Sequence, residues 1–100
     1  MPPHLSTKGF LGSPGTNKQW HHIVEQCQVE KTGFKPTLIQ NTDNIIAIDS
    51  ATHAKISGYY NSITPFSNGM RVRDWLAGQS FEKQYQFGVD VMRQYGVTQP

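Results

Sequence analysis

The segment NIIAID at residues 44–49 limits the possible fold more than any other part of this sequence. Its isoleucines have branched Cβ atoms, which favour a β-strand. Asp49 or Ser50 can cap a following helix, because a short side-chain oxygen accepts hydrogen bonds from the free amides of the first turn. The sequence therefore predicts a strand at 44–49 that runs directly into a helix at 50–60, and Pro65 ends this unit.

A second strand is predicted at 20–29, where the chain reads WHHIVEQCQV. Ile23, Val24 and Val29 carry the branched side chains that favour strands. Residues 31–43 contain glycine, proline, asparagine and aspartate, which are typical of a connection. We expect the two strands to pair antiparallel and to pack against the helix that follows the second one.

Two further helices are predicted in the C-terminal third, near 70–78 and 80–95. Ser80 can cap the second of them, and Gly96 stands where a helix-ending glycine is expected. In the first, apolar residues recur at helical spacing: Val72, Trp75 and Leu76. Two strands and three helices in this order predict an α+β fold.

The length of 100 residues fits one domain, which we place at 20–100. Residues 1–19 are rich in glycine, proline, serine and threonine and are expected to form a loop or linker. No apolar run approaches the roughly 20 residues that cross a bilayer, so no membrane partner is expected. The first ten residues also lack the charged and apolar regions of a secretory signal peptide. We therefore expect any export to use another route or a longer chain.

Charge and cysteine content narrow the classes of function. Nine Lys and Arg against seven Asp and Glu give a net charge of +2, whereas domains that bind nucleic acid by charge alone are usually far more basic. If this chain binds DNA, a bound metal must supply part of the positive field. The single cysteine, Cys27, excludes an internal disulfide and a cysteine-based zinc ribbon. We expect its thiol to be half-buried in the first strand.

Three of the four histidines fall in the predicted strand–connection–strand–helix unit. His21 and His22 are adjacent, and His53 opens the predicted helix. Neutral imidazole can act as a general base near neutral pH and can also bind a metal ion. Hydrolysis of a phosphodiester needs a base and a cation that balances the phosphate charge. The histidines are therefore candidates for both roles, and an asparagine such as Asn44 can brace the loop between them.

The order of these residues resembles the HNH branch of the ββα-metal, or His-Me finger, nucleases. The resemblance implies a ββα-metal core with two additional C-terminal helices. It also implies that His21 is a metal ligand, His22 the general base, Asn44 the residue that orients the base, and His53 a second metal ligand. The implied cofactor is a divalent ion, Mg²⁺ for turnover, with Zn²⁺, Mn²⁺ or Ni²⁺ as alternatives. Which of His21 and His22 is the base stays open, because adjacent strand residues point to opposite faces unless the strand ends there.

Four segments carry a wider resemblance: WHHIVEQ at 20–26, NTDNIIAI at 41–48, HAKISGYY at 53–60 and VRDWLAGQSFEKQYQFG at 72–88. Over about residues 16–96 the chain resembles the C-terminal toxin domains of bacterial rearrangement-hotspot (Rhs) proteins. The resemblance implies an endonuclease toxin that cleaves DNA, is delivered into the cytoplasm of a target bacterium and is blocked by a cognate immunity protein. The toxin would be part of, or cleaved from, a larger delivery protein.

One departure concerns the metal site. HNH nucleases often carry another ligand one helical turn after the helix histidine, and here that position is Ser57. Possible helpers are the carboxylates Glu25, Asp43 and Asp49, and candidate nucleic-acid-binding cations are Lys18, Lys55, Arg71 and Arg73. His4 is expected to have no role.

Two other functions remain open from the sequence. The first is a ribonuclease toxin, either with a metal or without one, in which His21 and His22 form an acid–base pair. The second is a non-catalytic binding module whose histidines pack or hold structural zinc. The hydrolytic metal site requires His22 and His53 to lie within about 10 Å of each other, since the base and the metal must reach the same phosphate.

Overall fold

The computed structural model describes residues 12–98 and has an α+β fold, as the sequence predicts. No helix within these residues is long and apolar enough to cross a membrane. The elements are β1 (Lys18–His22), α1 (Gln28–Thr32), α2 (Pro36–Ile39), a 3-10 turn (Thr42–Asn44), β2 (Ile45–Asp49), α3 (Ser50–Tyr60), α4 (Val72–Leu76) and α5 (Phe81–Gln94).

Strands β1 and β2 form an antiparallel sheet in which Lys18 pairs with Asp49 and His22 with Ile45. The first strand begins at Lys18, inside the segment expected to be a linker. Residues 1–11 lie outside the described part of the chain, and so does the prediction for His4. The antiparallel pairing therefore places the two adjacent histidines at the end of β1, next to the beginning of β2.

The prediction of one strand over 20–29 is wrong beyond His22. Ile23 and Val24 are buried, but the side chain of Asn44 binds both backbone groups of Val24, so this residue cannot continue the sheet. The prediction of a half-buried Cys27 in a strand is also wrong, because Cys27 is exposed at the start of α1. Branched side chains at 23 and 24 thus indicate burial here and not strand pairing.

Two short helices that the sequence analysis did not predict lie between the strands: α1 begins within the predicted strand at 20–29, and α2 lies in the predicted connection at 31–43. Gly33, with φ of 84°, ends α1 in the left-handed conformation that glycine adopts without strain. Pro36 begins α2, where its fixed φ is favourable and its missing N–H is not needed. Helices of four and five residues are too short to show a periodic apolar pattern, which explains why they were missed.

The predicted junction between strand and helix at 49–50 is confirmed. Asp49 caps α3, since its Oδ2 accepts hydrogen bonds from the N–H groups of Ala51 at 3.0 Å and Thr52 at 3.2 Å. The helix turns Ile56 and Tyr60 into the core, each with 1% of its surface exposed. With no loop between β2 and α3, the first turn of this helix stays close to the sheet.

The two C-terminal helices are confirmed with slightly shorter bounds. Ser80 caps α5 by accepting a hydrogen bond from the N–H of Lys83 at 3.1 Å, and Gly96 follows the helix with a φ of 87°. Helix α5 packs against the chain just after β1, where Gly88 lies against Ile23. The other buried apolar residues of the core cluster are Ile48, Ile56, Tyr60, Val72, Leu76, Val89, Val91 and Met92.

Candidate active site

The end of β1 and the first turn of α3 bring His21, His22 and His53 to one cavity of about 480 Å³. His21 and His22 are the last two residues of β1, and His53 is the fourth residue of α3. Because β2 leads directly into α3, His53 returns to the strand that carries the other two. We call these three residues the histidine cluster. The grouping predicted from their order in the sequence is thus present in the fold.

His21 is the most enclosed member of the histidine cluster. It is 5% exposed, and its ring meets that of His53 edge to face, with centroids 5.4 Å apart and planes at 81°. Burial, followed by the charges of His53 and His22, lowers the pKa of His21 to about 4, so its imidazole is neutral at physiological pH. Its Nε2 atom is buried and has no hydrogen-bond partner among the described residues. A buried polar atom left in this state is costly unless a ligand completes it.

His22 is half-buried, and its Nε2 lies 2.9 Å from Oε1 of Gln40. Burial lowers the pKa of His22, while the hydrogen bond to Gln40 acts in the opposite direction. His22 also lines the cavity with His21, although adjacent strand residues normally face opposite ways. Both can do so here because β1 ends at His22.

Asn44 braces the chain around the histidine cluster. Its Oδ1 accepts from the N–H of Val24 at 2.9 Å, and its Nδ2 donates to the carbonyls of Val24 at 3.1 Å and Ile39 at 2.9 Å. It is 1% exposed. The expectation was that Asn44 orients the base. In the structure its side chain holds the backbone, and the side chain hydrogen-bonded to His22 is that of Gln40.

Three cations also line the cavity, and we call Lys31, Arg71 and Arg73 the cationic rim. Arg73 forms two hydrogen bonds with Glu25, at 2.9 and 3.1 Å, and also donates to the carbonyl of Ser57 at 3.3 Å. Glu25 is therefore the one carboxylate of the three suggested helpers that lies at the cavity, and its charge is paired.

Asp74 holds the other two members of the cationic rim. It lies 2.7 Å from Nε of Arg71 and 2.8 Å from Nζ of Lys31. Hydrogen bonds from Arg71 and then Lys31 lower the pKa of Asp74 to about 2, so it stays ionised across the physiological range. The rim thus carries three positive charges against the negative charges of Glu25 and Asp74.

The remaining sequence-predicted residues lie away from the cavity lining. Lys18 and Asp49 pair at the far end of the sheet from His22. Lys55 is exposed on α3. Asp43 belongs to the 3-10 turn, where its carbonyl accepts a hydrogen bond from the Tyr85 hydroxyl. None of the four is among the residues that line the cavity in the described chain.

Three polar residues at the site were missed. Gln26 and Lys31 line the cavity, and Gln40 contacts His22. A weak signal was available for Lys31, because Gly33 marks a helix end and basic residues are favoured in the last helical turn. For the two glutamines the sequence held no such signal, since their positions depend on contacts between distant segments.

A metal ion at the histidine cluster would depend on imidazole ligands. Within residues 12–98 no three His, Cys, Asp or Glu side chains are grouped so as to hold one. The imidazoles of His21 and His53 do meet at the cavity, and Nε2 of His21 has no hydrogen-bond partner in the described part of the chain. Such a donor pair fits a catalytic ion that keeps most of its positions open for water and phosphate. Ser57 lines the same cavity one turn after His53, and its hydroxyl is a weaker ligand than imidazole.

Comparison with protein-family models, with curated proteins and with solved structures gives no match for this chain.

Proposed function

We propose that this chain is a metal-dependent endonuclease domain in which β1, β2 and α3 form a ββα-metal core. The observation that carries the proposal is that Nε2 of buried His21 has no hydrogen-bond partner among residues 12–98, while His53 lies against the same ring and His22 lines the same cavity. A buried ring nitrogen without a hydrogen bond, next to a second imidazole, suits a pair of metal ligands.

In the proposed mechanism His22 acts as the general base. Burial lowers its pKa, which favours the neutral ring that can take a proton from water. His21 and His53 would hold the divalent ion, Mg²⁺ for turnover. When bound, this ion supplies positive charge beside the phosphate and the leaving oxygen. The cationic rim would bind the phosphates that flank the scissile bond. Two of its residues, Arg71 and Arg73, are among the nucleic-acid-binding cations that the sequence suggests.

The proposed substrate is DNA, and the proposed setting is that of an Rhs-type toxin. In this setting the domain acts in the cytoplasm of a competing bacterium after delivery as part of a larger protein. A cognate immunity protein blocks it by covering the cavity. An acidic inhibitor surface would meet Lys31, Arg71 and Arg73, where charge complementarity chiefly speeds association.

The electrostatics of the histidine cluster bear on the metal-independent alternative. A ribonuclease of that kind needs one protonated and one neutral imidazole. Burial lowers the pKa of His21 to about 4 and also lowers the pKa of His22, so both rings disfavour the protonated form that the acid must have. This favours the metal-dependent mechanism over the acid–base pair.

The first test is incubation of the purified chain with plasmid DNA and with RNA, in Mg²⁺ and in EDTA. We expect DNA cleavage that stops on addition of EDTA while the protein stays folded by circular dichroism. His22→Ala should lower the rate about 10²–10⁴-fold. The matched control is Gln86→Ala. Gln86 is exposed on α5, and within residues 12–98 its side chain hydrogen-bonds only to Asp90.

Three outcomes would contradict the proposal in different ways. Cleavage of RNA that persists in EDTA would replace it with the metal-independent ribonuclease. Unfolding on chelation would indicate a structural metal in a binding module. Cleavage of DNA by His22→Ala at the wild-type rate would move the base to another residue.

A further inference from the structure

We propose that Gln40 is a positioning residue that fixes the tautomer of His22, with Nε2 protonated and Nδ1 free to accept a proton from water. The inference deepens the proposed function and rests on it, since it concerns the base of the same site. It replaces the direct role that the sequence suggested for Asn44.

The first step is the direction of the hydrogen bond between His22 and Gln40. Nε2 of His22 lies 2.9 Å from Oε1 of Gln40. An amide oxygen only accepts, so the hydrogen must belong to the imidazole nitrogen. A neutral imidazole has one N–H, and Nδ1 of His22 therefore keeps its lone pair.

The second step is the orientation of the Gln40 amide. Its Nε2 donates to Oε1 of Gln26 at 2.8 Å, which leaves Oε1 of Gln40 facing His22. Gln26 also lines the cavity. The side chains of Gln26, Gln40 and His22 form one hydrogen-bonded chain. Gln26 orients the amide of Gln40, and Gln40 in turn orients the ring of His22.

The third step is the backbone that carries Gln40. Gln40 directly follows α2, and its N–H donates to the carbonyl of Pro36 at 2.9 Å. The preceding residue, Ile39, is fully buried, and its carbonyl accepts from Nδ2 of Asn44 at 2.9 Å. The same Asn44 holds Val24, two residues after His22. Asn44 thus fixes the spacing between the segments of Gln40 and His22, and Gln40 makes the contact.

The chemical consequence is that only one ring nitrogen is available as base. General-base catalysis needs an unprotonated nitrogen within hydrogen-bond reach of the water. The hydrogen bond at one imidazole nitrogen decides which nitrogen that is. Without an acceptor at Gln40 the ring can rotate and exchange tautomers, and the fraction with the competent nitrogen in place falls.

The test uses the full chain with ¹⁵N-labelled histidine at about pH 8, where an ordinary imidazole is neutral. Long-range ¹H–¹⁵N spectra assign the protonated nitrogen of His22 in wild type, Gln40→Leu and Gln40→Glu. Cleavage of plasmid DNA in Mg²⁺ gives kcat and KM for the same proteins. Gln86→Leu on α5 is the matched control, because it removes an exposed glutamine outside the cavity.

We expect the Nε2–H form in wild type, in Gln40→Glu and in Gln86→Leu. Gln40→Leu should show a tautomer mixture and a kcat about 10–100-fold lower, as for other residues that orient a functional imidazole. Its KM should change little, since Gln40 is not assigned a contact with phosphate. Gln40→Glu keeps an acceptor and should restore the tautomer and part of kcat, which a purely structural role would not explain.

Two results would overturn the inference: an Nδ1–H form in wild type, or Gln40→Leu with unchanged tautomer and unchanged kcat. If Gln40→Leu does not fold, Gln26→Leu takes its place, because it releases only the amide that orients Gln40. A wild-type protein that cleaves no nucleic acid would contradict the proposed nuclease and with it the positioning role in catalysis. The spectra would still decide separately whether Gln40 holds the Nε2–H tautomer.

Discussion

At the scale of single residues, the feature that separates His21 from an ordinary core histidine is its unsatisfied nitrogen. Core imidazoles normally give both ring nitrogens a partner, because an unpaired buried polar atom costs about 1–3 kcal/mol. His21 is 5% exposed, and its Nε2 has no partner among the described residues. Its neighbours are two further imidazoles, which add like charge on protonation. The residue is thus disfavoured both as a bare neutral ring and as a cation, and a metal ion bound at Nε2 would satisfy the neutral ring.

The lowered pKa of His21 makes the stability of the metal-free protein depend on pH. The pKa of His21 in the folded protein is about 4, against 6.5 for an ordinary histidine, so the unfolded chain binds the proton more readily. Stability is therefore present above pH 6.5 and is lost as the pH falls towards 4. The loss is on the order of 3 kcal/mol. Urea unfolding in EDTA across this range measures it.

The control for this prediction is His21→Gln, which cannot titrate. Other titrating groups act in both proteins, so the difference between the two pH profiles isolates His21. The variant should lose less stability than wild type over the same range. Parallel profiles would contradict the assignment of the shift to His21.

At the scale of elements, the close contact between α5 and the chain after β1 positions the histidines. A Cβ atom at Gly88 would meet the carbonyl oxygen of Ile23 and lie 2.8 Å from its Cγ2 atom. Ile23 directly follows His22. Only glycine lets the helix approach the chain this closely, so the end of β1 is held by a helix more than 60 residues further along the sequence.

We therefore expect Gly88→Ala to destabilise the fold by about 1–3 kcal/mol, as for other overpacked contacts. The matched control is Gly58→Ala in α3, where a Cβ atom would meet nothing within 4 Å. That change should stabilise by about 0.5–1 kcal/mol, because alanine restricts the unfolded chain more than glycine does. Urea midpoints with unchanged slopes give both values. Equal stability of the two variants would show that Ile23 yields to the new methyl group.

The elements that could be predicted from the sequence are those defined by local chemistry. The β2–α3 junction depends on Asp49 and the two amides beside it, and Ser80 caps α5 in the same local way. The end of β1 could not be predicted, because it depends on Asn44 binding Val24 across 20 residues. Gln40 was missed for the same reason, since its partner His22 is 18 residues away.

The candidate site, like the fold, could be predicted where it depends on residues close in sequence and could not where it depends on contacts between distant segments. The grouping of His21, His22 and His53 could be predicted, because two paired strands, the second of which leads directly into a helix, bring these positions together. The role of Lys18 and Lys55 could not be judged, since the strand register and the helix face decide which cations reach the cavity. Local patterns thus predicted that the three histidines lie together, and tertiary contacts defined what surrounds them.

At the scale of the whole molecule, the formal net charge of +2 gives little long-range attraction to DNA. The cationic rim is also largely compensated, because Asp74 binds Lys31 and Arg71 and Glu25 binds Arg73. These carboxylates arrange the cations but reduce the charge that a phosphate meets. Non-specific binding to DNA is therefore expected to be weak at physiological salt.

Asp74→Asn should expose this compensation. It adds one positive unit to the net charge and releases the two cations that Asp74 holds. We expect tighter binding of a labelled DNA duplex at low salt and a steeper salt dependence, because each additional phosphate contact changes the slope of log K against log salt by about 0.9. Fluorescence anisotropy in EDTA on a His22→Ala background measures binding without cleavage.

The control for Asp74→Asn is Asp90→Asn on α5. It makes the same change in net charge at an exposed residue outside the cavity lining. If Asp74→Asn alone steepens the slope, the DNA backbone contacts the cationic rim. If both variants steepen it equally, binding responds to total charge and not to the rim. If neither does, Lys31 and Arg71 do not contact phosphate, and the path of the DNA must run along the side of the cavity that carries Arg73 and the histidine cluster.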